Sequence, residues 1–320
     1  MLQPFTTLRE SFIFSPEKPI TFTTEFRRQF MKTNSKLPYL FIAPVALLLF
    51  LFSYLPMPYS AYLSFQKIDI ATGKYVFAGL ENWNRILRDK NFWESCSNTF
   101  WFALLYTVIM LVLAVIVALI LNSKIKGASF YLTVMFIPWV ISEVIVGYTW
   151  KWLLNPDYGV LNYLLGPFGI KASSLISDTA CALLGAVIVY VWRSLAYTTI
   201  LVLAGLQAVP NDCLEAAGID GCNKWKTFTK VIFPILSPTI LIVTLLNIIN
   251  AISQSGIILV LTKGGPVRAT ETLALYLYKE AFINYQFSGA ATMSIVLTVI
   301  NLLIVAAYLY LNKKNREVIS

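Results

Sequence analysis

The chain has 320 residues, 58% of them hydrophobic and 13% charged, with a mean hydropathy of +0.69. Soluble domains carry about 25% charged residues, so this composition belongs to a membrane protein and excludes an ordinary soluble enzyme. The formal net charge of +9 would suit a nucleic-acid partner, but the cations lie in loops beside apolar spans. Anionic lipid and topology explain them there, and no nucleic-acid partner is expected.

Residues 1–36 are polar and basic, with Arg27, Arg28, Lys32 and Lys36 closest to the first apolar run. No signal-peptide core follows the first cations, so this stretch reads as a cytoplasmic tail. Six spans are predicted at about 38–59, 99–121, 129–150, 179–206, 232–260 and 291–312, each near the ~20 apolar residues that cross a bilayer. Residues 313–320 form a short second tail. Pro44, Pro56 and Pro58 predict a first span that is bent or frayed at its outer end. With the N-terminus inside, 14 of the 25 Lys and Arg residues fall in inner segments against 9 in outer ones. That bias places both termini in the cytoplasm.

In the first outer segment, Leu80, Trp83, Ile86 and Leu87 recur at helical spacing and predict a short amphipathic helix on the membrane surface. The third span ends in Trp150-Lys151-Trp152, where Lys151 suits the head-group level by snorkelling. Glu143 lies nearer mid-span, and an ionisable group there is a functional candidate. In the fourth span Tyr190, Arg193 and Tyr197 share a helix face. Arg193 must face protein or a water-filled cavity. It either pairs with Glu143 or backbone carbonyls and locks the bundle, or it serves a substrate. In the fifth span Asn247, Asn250 and Gln254 recur at i, i+3 and i+7 and predict an amide stripe. Such amides either bond neighbouring helices or line a polar path. Amides and tyrosines also offer uncharged donors and acceptors to a sugar hydroxyl.

Between the fourth and fifth spans runs Val209-Pro210-Asn211-Asp212-Cys213-Leu214-Glu215-Ala216-Ala217-Gly218-Ile219-Asp220-Gly221-Cys222. Pro210 ends one helix, Asn211 or Asp212 can cap the next, and Gly218 and Gly221 weaken and stop it. A second helical run starts near Asn223 and places Trp225, Phe228 and Ile232 on one face. Ala216, Ala217 and Gly218 carry no bulk, so a partner backbone could approach, with Glu215 and Asp220 on the rim.

This loop resembles the EAA loop of bacterial ABC importer permeases: Glu-Ala-Ala, three residues, Gly, nine residues, Ile, one residue, Leu-Pro. Here the matching positions are Glu215, Ala216, Ala217, Gly221, Val231, Phe233 and Pro234. The longer Glu-Ala-Ala-x-Ile-Asp-Gly-Ala form looks like the sugar-permease branch, with Cys222 in place of its last Ala. Asn155-Pro156-Asp157-Tyr158-Gly159, Lys263-Gly264-Gly265-Pro266 and Tyr285-Gln286-Phe287-Ser288-Gly289 are similar to that branch as well. Glu143 departs from it. The resemblance implies an all-α, polytopic membrane protein over residues 37–312, with six transmembrane helices and a cytoplasmic coupling helix. It implies a carbohydrate substrate, a second homologous permease, two cytoplasmic ATPase subunits and an extracytoplasmic solute-binding protein in a bacterial inner membrane. Tyr197 and Asn247 fall on the spans where that family holds substrate.

Several features bound the chemistry. The chain has no His, so a His triad, His metal site or His pH switch is excluded. The four Cys, Cys96, Cys181, Cys213 and Cys222, have no metal-ligand spacing and read as structural or incidental. There is no G-x-x-x-x-G-K-[ST] phosphate loop, so ATP and Mg are expected on partner subunits and no catalytic, cofactor or metal residue in this one. A sugar phosphate, an acidic sugar or an amino acid remains an alternative cargo. An ion-coupled carrier would carry more intramembrane carboxylates than Glu143 and an internal repeat.

Overall fold

The computed structural model describes residues 37–69, 72–123 and 125–319, so the tail over residues 1–36 and Lys124 lie outside the described residues. The chain divides into a unit ending at Tyr59 and a unit starting at Ser60. The first holds α1 (Leu37–Leu49), which contains Pro44, and a π-helical turn over Phe50–Tyr54. Leu55 N–H donates to Phe50 O at 2.8 Å, and Pro56, which lacks an N–H, begins α2 (Pro56–Ser64). The stretch Tyr39–Ser64 is long and apolar enough to cross a membrane.

The second unit opens with a hairpin absent from the sequence reading: β1 (Gln66–Ile68) antiparallel to β2 (Tyr75–Phe77), with Gln66 opposite Phe77. Asn82 Nδ2 donates to Ser64 O and Gln66 O and ties α3 (Glu81–Arg88) to it. The amphipathic helix exists, but its inner side is Asn82 and Ile86. Leu80 and Leu87 remain exposed.

Asp89 accepts from Asn91 N–H at 2.9 Å and starts α4 (Lys90–Asn122), nine residues before the expected start. At 33 residues it runs about 50 Å, more than one bilayer needs. The third span differs most from expectation. It is α5 (Ala128–Val140) and α6 (Glu143–Leu153), bent by 97° at Ile141-Ser142. Pro138 weakens the last turn of α5, and Ser142-Glu143 begins a new helix with an acid in its first turn. Two short helices follow, α7 (Val160–Leu165) and α8 (Ser174–Ser177), before α9 (Ala182–Gln207).

The loop helix is α10 (Asn211–Ile219), and α11 (Lys224–Thr227) continues through a π-helical stretch, Phe228–Ile232, into α12 (Phe233–Ile252). The fifth span then breaks at Ser253–Ser255 and resumes as α13 (Gly256–Leu261). It is followed by α14 (Leu273–Phe282) and α15 (Phe287–Ile319), whose helix continues through the residues expected as the C-terminal tail. Among the described residues, five helices are long and apolar enough to cross a membrane, or six if the bent pair counts as one span.

α4 packs along α9 and α12. Its buried residues Phe102, Tyr106, Met110, Ala114 and Ala118 fall every fourth position, so one stripe makes the contact. Aromatic rings fill one end and alanines the other, where Val202, Leu206, Leu236 and Val243 meet them. Lipid tails are as apolar as Leu, so close backbone approach rather than water exclusion holds such helices together. Gly205 of α9 provides it: a Cβ there would lie 2.7 Å from Leu236 Cδ1 and 2.7 Å from Thr239 Cγ2. Gly205→Leu should therefore destabilise the bundle by about 1–3 kcal/mol through overpacking. Gly166→Ala, with nothing within 4 Å, should be neutral. Thermal unfolding in detergent compares the two; equal stability would mean the α9–α12 contact is loose.

Candidate functional site

Tyr190, Arg193, Ser194 and Tyr197 line one face of α9 at i, i+3, i+4 and i+7 and open onto a cavity of about 540 Å³. Tyr106 of α4, Trp139 of α5, Glu143 of α6 and Asn250 of α12 complete its wall. Trp139 stacks on Tyr197 with ring centres 5.4 Å apart and planes at 5°. Tyr106 and Tyr190 meet at 4.5 Å. Arg193 Nη1 sits 3.5 Å from Glu143 Oε1, which is the pairing the sequence reading offered as a structural role.

Two glycines make that pairing possible. A Cβ on Gly256, at the start of α13, would collide with Glu143 Oε2. One on Gly147, a turn after Glu143 in α6, would lie 2.8 Å from Val260 Cβ. α6 and α13 thus pack closely along their length, and Glu143 takes the space left at one end.

Not every candidate reaches the cavity. Asn250 does, and so do Tyr197, Arg193 and Glu143. Asn247 is buried, and its Oδ1 accepts from Thr198 Oγ1 at 3.2 Å, a bond between α12 and α9. Gln254 lies beyond the last turn of α12, in the break before α13, and is also buried. The amide stripe is therefore corrected: the i+7 step assumed a helix that ends at Ile252. Tyr106, Trp139 and Ser194 were not singled out as site residues. The Ser194 position was readable from its place between Arg193 and Tyr197, whereas Tyr106 and Trp139 are set by packing between helices.

At the other end of the spans, Thr262 to Thr272 folds into a corner held by polar side chains. Asn98 Nδ2 donates to Arg268 O at 2.9 Å, and the Thr262 and Thr270 hydroxyls share a 2.7 Å bond. The buried Glu271 carboxylate takes Arg268 Nη2 and Lys279 Nζ, each at 2.7 Å. Nearby, Tyr276 donates to Asp89 Oδ2 at 2.5 Å; burial first, and then Asp89, pushes its phenol well above the usual range.

The loop between spans four and five has a different interior from the one expected. Pro210 occupies the N-cap, and neither Asn211 nor Asp212 caps with its side chain. Asp212 still favours the start of the helix by its charge. The end follows the sequence reading: Gly221 adopts φ +68°, and Cys222 N–H returns to Ala217 O at 3.0 Å, a Schellman closure. Asn223 then caps the following helix by accepting from Lys226 N–H at 2.8 Å. Ala217 is 5% exposed, turned into its own chain. Glu215, Ala216, Gly218 and Asp220 are exposed, and Ile219 is 88% exposed. Of the two residues expected at the closest approach of a partner, Ala216 is exposed and Ala217 is not.

A polar cavity enclosed by apolar spans, with a structured helical loop beyond them, defines a membrane permease. The model of the binding-protein-dependent transport system inner membrane component family matches residues 110–317, and the chain belongs to that family. It is 33% identical over 268 residues to the sn-glycerol-3-phosphate transport system permease protein UgpA of Agrobacterium fabrum, covering 83% of this chain and 91% of the relative. It is 31% identical over 284 residues to the trehalose/maltose transport system permease protein MalF of Thermococcus litoralis, covering 89% and 96%. Its fold is similar to a chain of the bacterial alginate ABC transporter solved with an alginate pentasaccharide-bound periplasmic protein. The TM-score there is 0.74 at 19% identity, over 91% of this chain and 96% of that one.

The Arg193–Glu143 pair generates a prediction. The side chains are 16% and 36% exposed, so breaking the pair should cost on the order of 1–3 kcal/mol, below the cost at a fully buried site. Arg193→Gln and Glu143→Gln should each lower the unfolding temperature, and the double variant should recover part of both losses. Strictly additive losses in that cycle would show that the pair is not coupled.

Proposed function

We propose that the chain is one permease half of an ATP-driven, binding-protein-dependent importer whose cavity passes a carbohydrate. The observation that carries this reading is the cavity itself. Flat aromatic faces at Trp139 and Tyr197 suit the apolar face of a sugar ring, and Tyr190, Ser194 and Asn250 offer hydroxyl partners. Its volume lies within the usual range for small-molecule sites. Relatives named for trehalose/maltose and for sn-glycerol-3-phosphate support a polyhydroxylated solute. Arg193 favours a second reading, an acidic sugar or sugar phosphate that would compete with Glu143 for the guanidinium.

The partners follow from the same reading. A second, homologous permease completes the pathway. An open apolar groove of Leu132, Phe136, Ile137, Val140 and Ile200 supports a neighbouring helical subunit. Two ATPase subunits bind ATP and Mg and take α10 in a groove, and an external binding protein delivers the solute. The cation bias of the loops supports cytoplasmic termini, with α10 on the same side.

Uptake into vesicles of labelled neutral oligosaccharides, uronides and sugar phosphates tests the cargo. Tyr197→Ala and Asn250→Leu should each lower uptake of the transported class about tenfold while basal ATP hydrolysis persists. Wild-type uptake by both variants would remove the cavity from the pathway. Ile219→Asp, which places a charge on the exposed side of α10, should release the ATPase subunits during purification and leave the spans folded. Full retention of ATPase in that variant would rule out α10 as the docking helix.

A further inference from the structure

A second cavity, of about 570 Å³, lies at the far end of the α6–α13 seam from Glu143. Lys151 of α6, Lys263 at the end of α13 and Lys279 of α14 line it, with Tyr148 beside Lys151 and an apolar wall of Val260 and Ile283. Among the described residues neither Lys151 nor Lys263 has an ion-pair partner. The carboxylate beside them, Glu271, is already divided between Lys279 and Arg268. Positive charge is therefore in excess around a concave surface.

The backbone gives a second and independent argument. Lys263 ends α13 with φ +55°, and its N–H returns to Ile258 O at 3.0 Å. That left-handed closing position is normally Gly or Asn, because a Cβ is unfavourable there. Lysine occupies a position whose geometry Gly would satisfy better. The next residue is Gly264. Lys279 Nζ lies so close to it that a Cβ would come within 3.0 Å, which brings the second ammonium to the same turn.

We propose that the Lys151–Lys263–Lys279 cavity binds an anionic group, a phosphate or carboxylate, against its apolar wall. Two sources share that chemistry: the head group of an acidic phospholipid, since Lys151 lies in the last turn of α6 and Lys263 just past α13, at the ends of spans, and a free anion in solution. The site does not involve the Arg193 cavity, so it stands whichever cargo is transported.

The full chain, with the subunits that co-purify, is placed in nanodiscs of phosphatidylcholine with or without phosphatidylglycerol. Separately, the detergent-solubilised protein is titrated with inorganic phosphate against chloride at equal ionic strength. Thermal stability and retained lipid, read by native mass spectrometry, are compared for wild type, Lys151→Gln/Lys263→Gly and Lys151→Arg/Lys263→Arg. Lys263→Gly relieves the left-handed lysine, so loss of folding is not the expected result. A phosphatidylglycerol-specific rise in Tm, with binding weakened roughly tenfold or more in the Gln/Gly variant and kept in the Arg variant, assigns the site to lipid. A phosphate-specific rise with the same variant pattern, and no preference among lipids, assigns it to a soluble anion. Responses that are absent, or equal in wild type and the Gln/Gly variant, overturn the proposal.

Discussion

The Arg193 guanidinium sets the terms for the middle of this protein. A cation at that depth costs roughly 2.5–3.5 kcal/mol or more if lipid surrounds it, so it has to meet protein or water. It meets Glu143, but only because the third span stops at Val140 and starts again at Glu143. Non-helical backbone at membrane depth is tolerated where protein surrounds it or it lines a cavity. Here it does the second: Trp139 and Val140 on one side of the break and Glu143 on the other all border the same space. The absence of side chains at Gly147 and Gly256 completes the arrangement, since either Cβ would push α13 away from α6.

Hydropathy made the spans legible because burial in lipid is a property of composition over about 20 residues. It could not reveal the 97° bend, because Ile141 and Ser142 barely change a window average. The local signals were nevertheless present: a proline two residues before the end of α5, then Ser-Glu at the start of α6, the usual grammar of one helix stopping and another starting. The same blindness affected the amides. Asn247, Asn250 and Gln254 share a stripe only on an unbroken helix, and Ser253–Ser255 ends it. Their identity as polar groups needing partners was readable; which partner each one finds depends on where the neighbouring backbone turns.

The loop after α9 shows a different limit. Its helix, its stop at Gly221 and its restart at Asn223 were written in propensities and caps, which are local. The role of Ala217 was not. A residue without bulk permits close approach, but sequence does not say whether the approaching group belongs to a partner or to the same chain. Here it is the same chain, and the buried Ala217 braces α10 so that Ile219 stands clear. A rigid helix with one projecting apolar side chain is better suited to fitting a groove than a mobile loop, because less freedom is lost on docking.

The broken spans also explain how many polar residues the fold must spend on itself. Each interruption frees backbone groups that lipid cannot satisfy. At the corner after α12, Thr272 Oγ1 donates to Gln254 O at 3.1 Å, and Leu273 N–H donates to Thr99 Oγ1 at 2.8 Å. Asn98 holds two carbonyls of the Arg268–Glu271 turn, and Asn247 bridges to Thr198. Thr99, Thr272 and Asn98 thus close backbone groups near the ends of α4, α12 and α14, and Asn247 Oδ1 joins α12 to α9. Asn250, one turn before the break, is the amide of the expected stripe that lines the cavity. The polar residues of a broken span thus divide between joining helices, closing backbone and lining a cavity, and spacing along an ideal helix does not separate these uses.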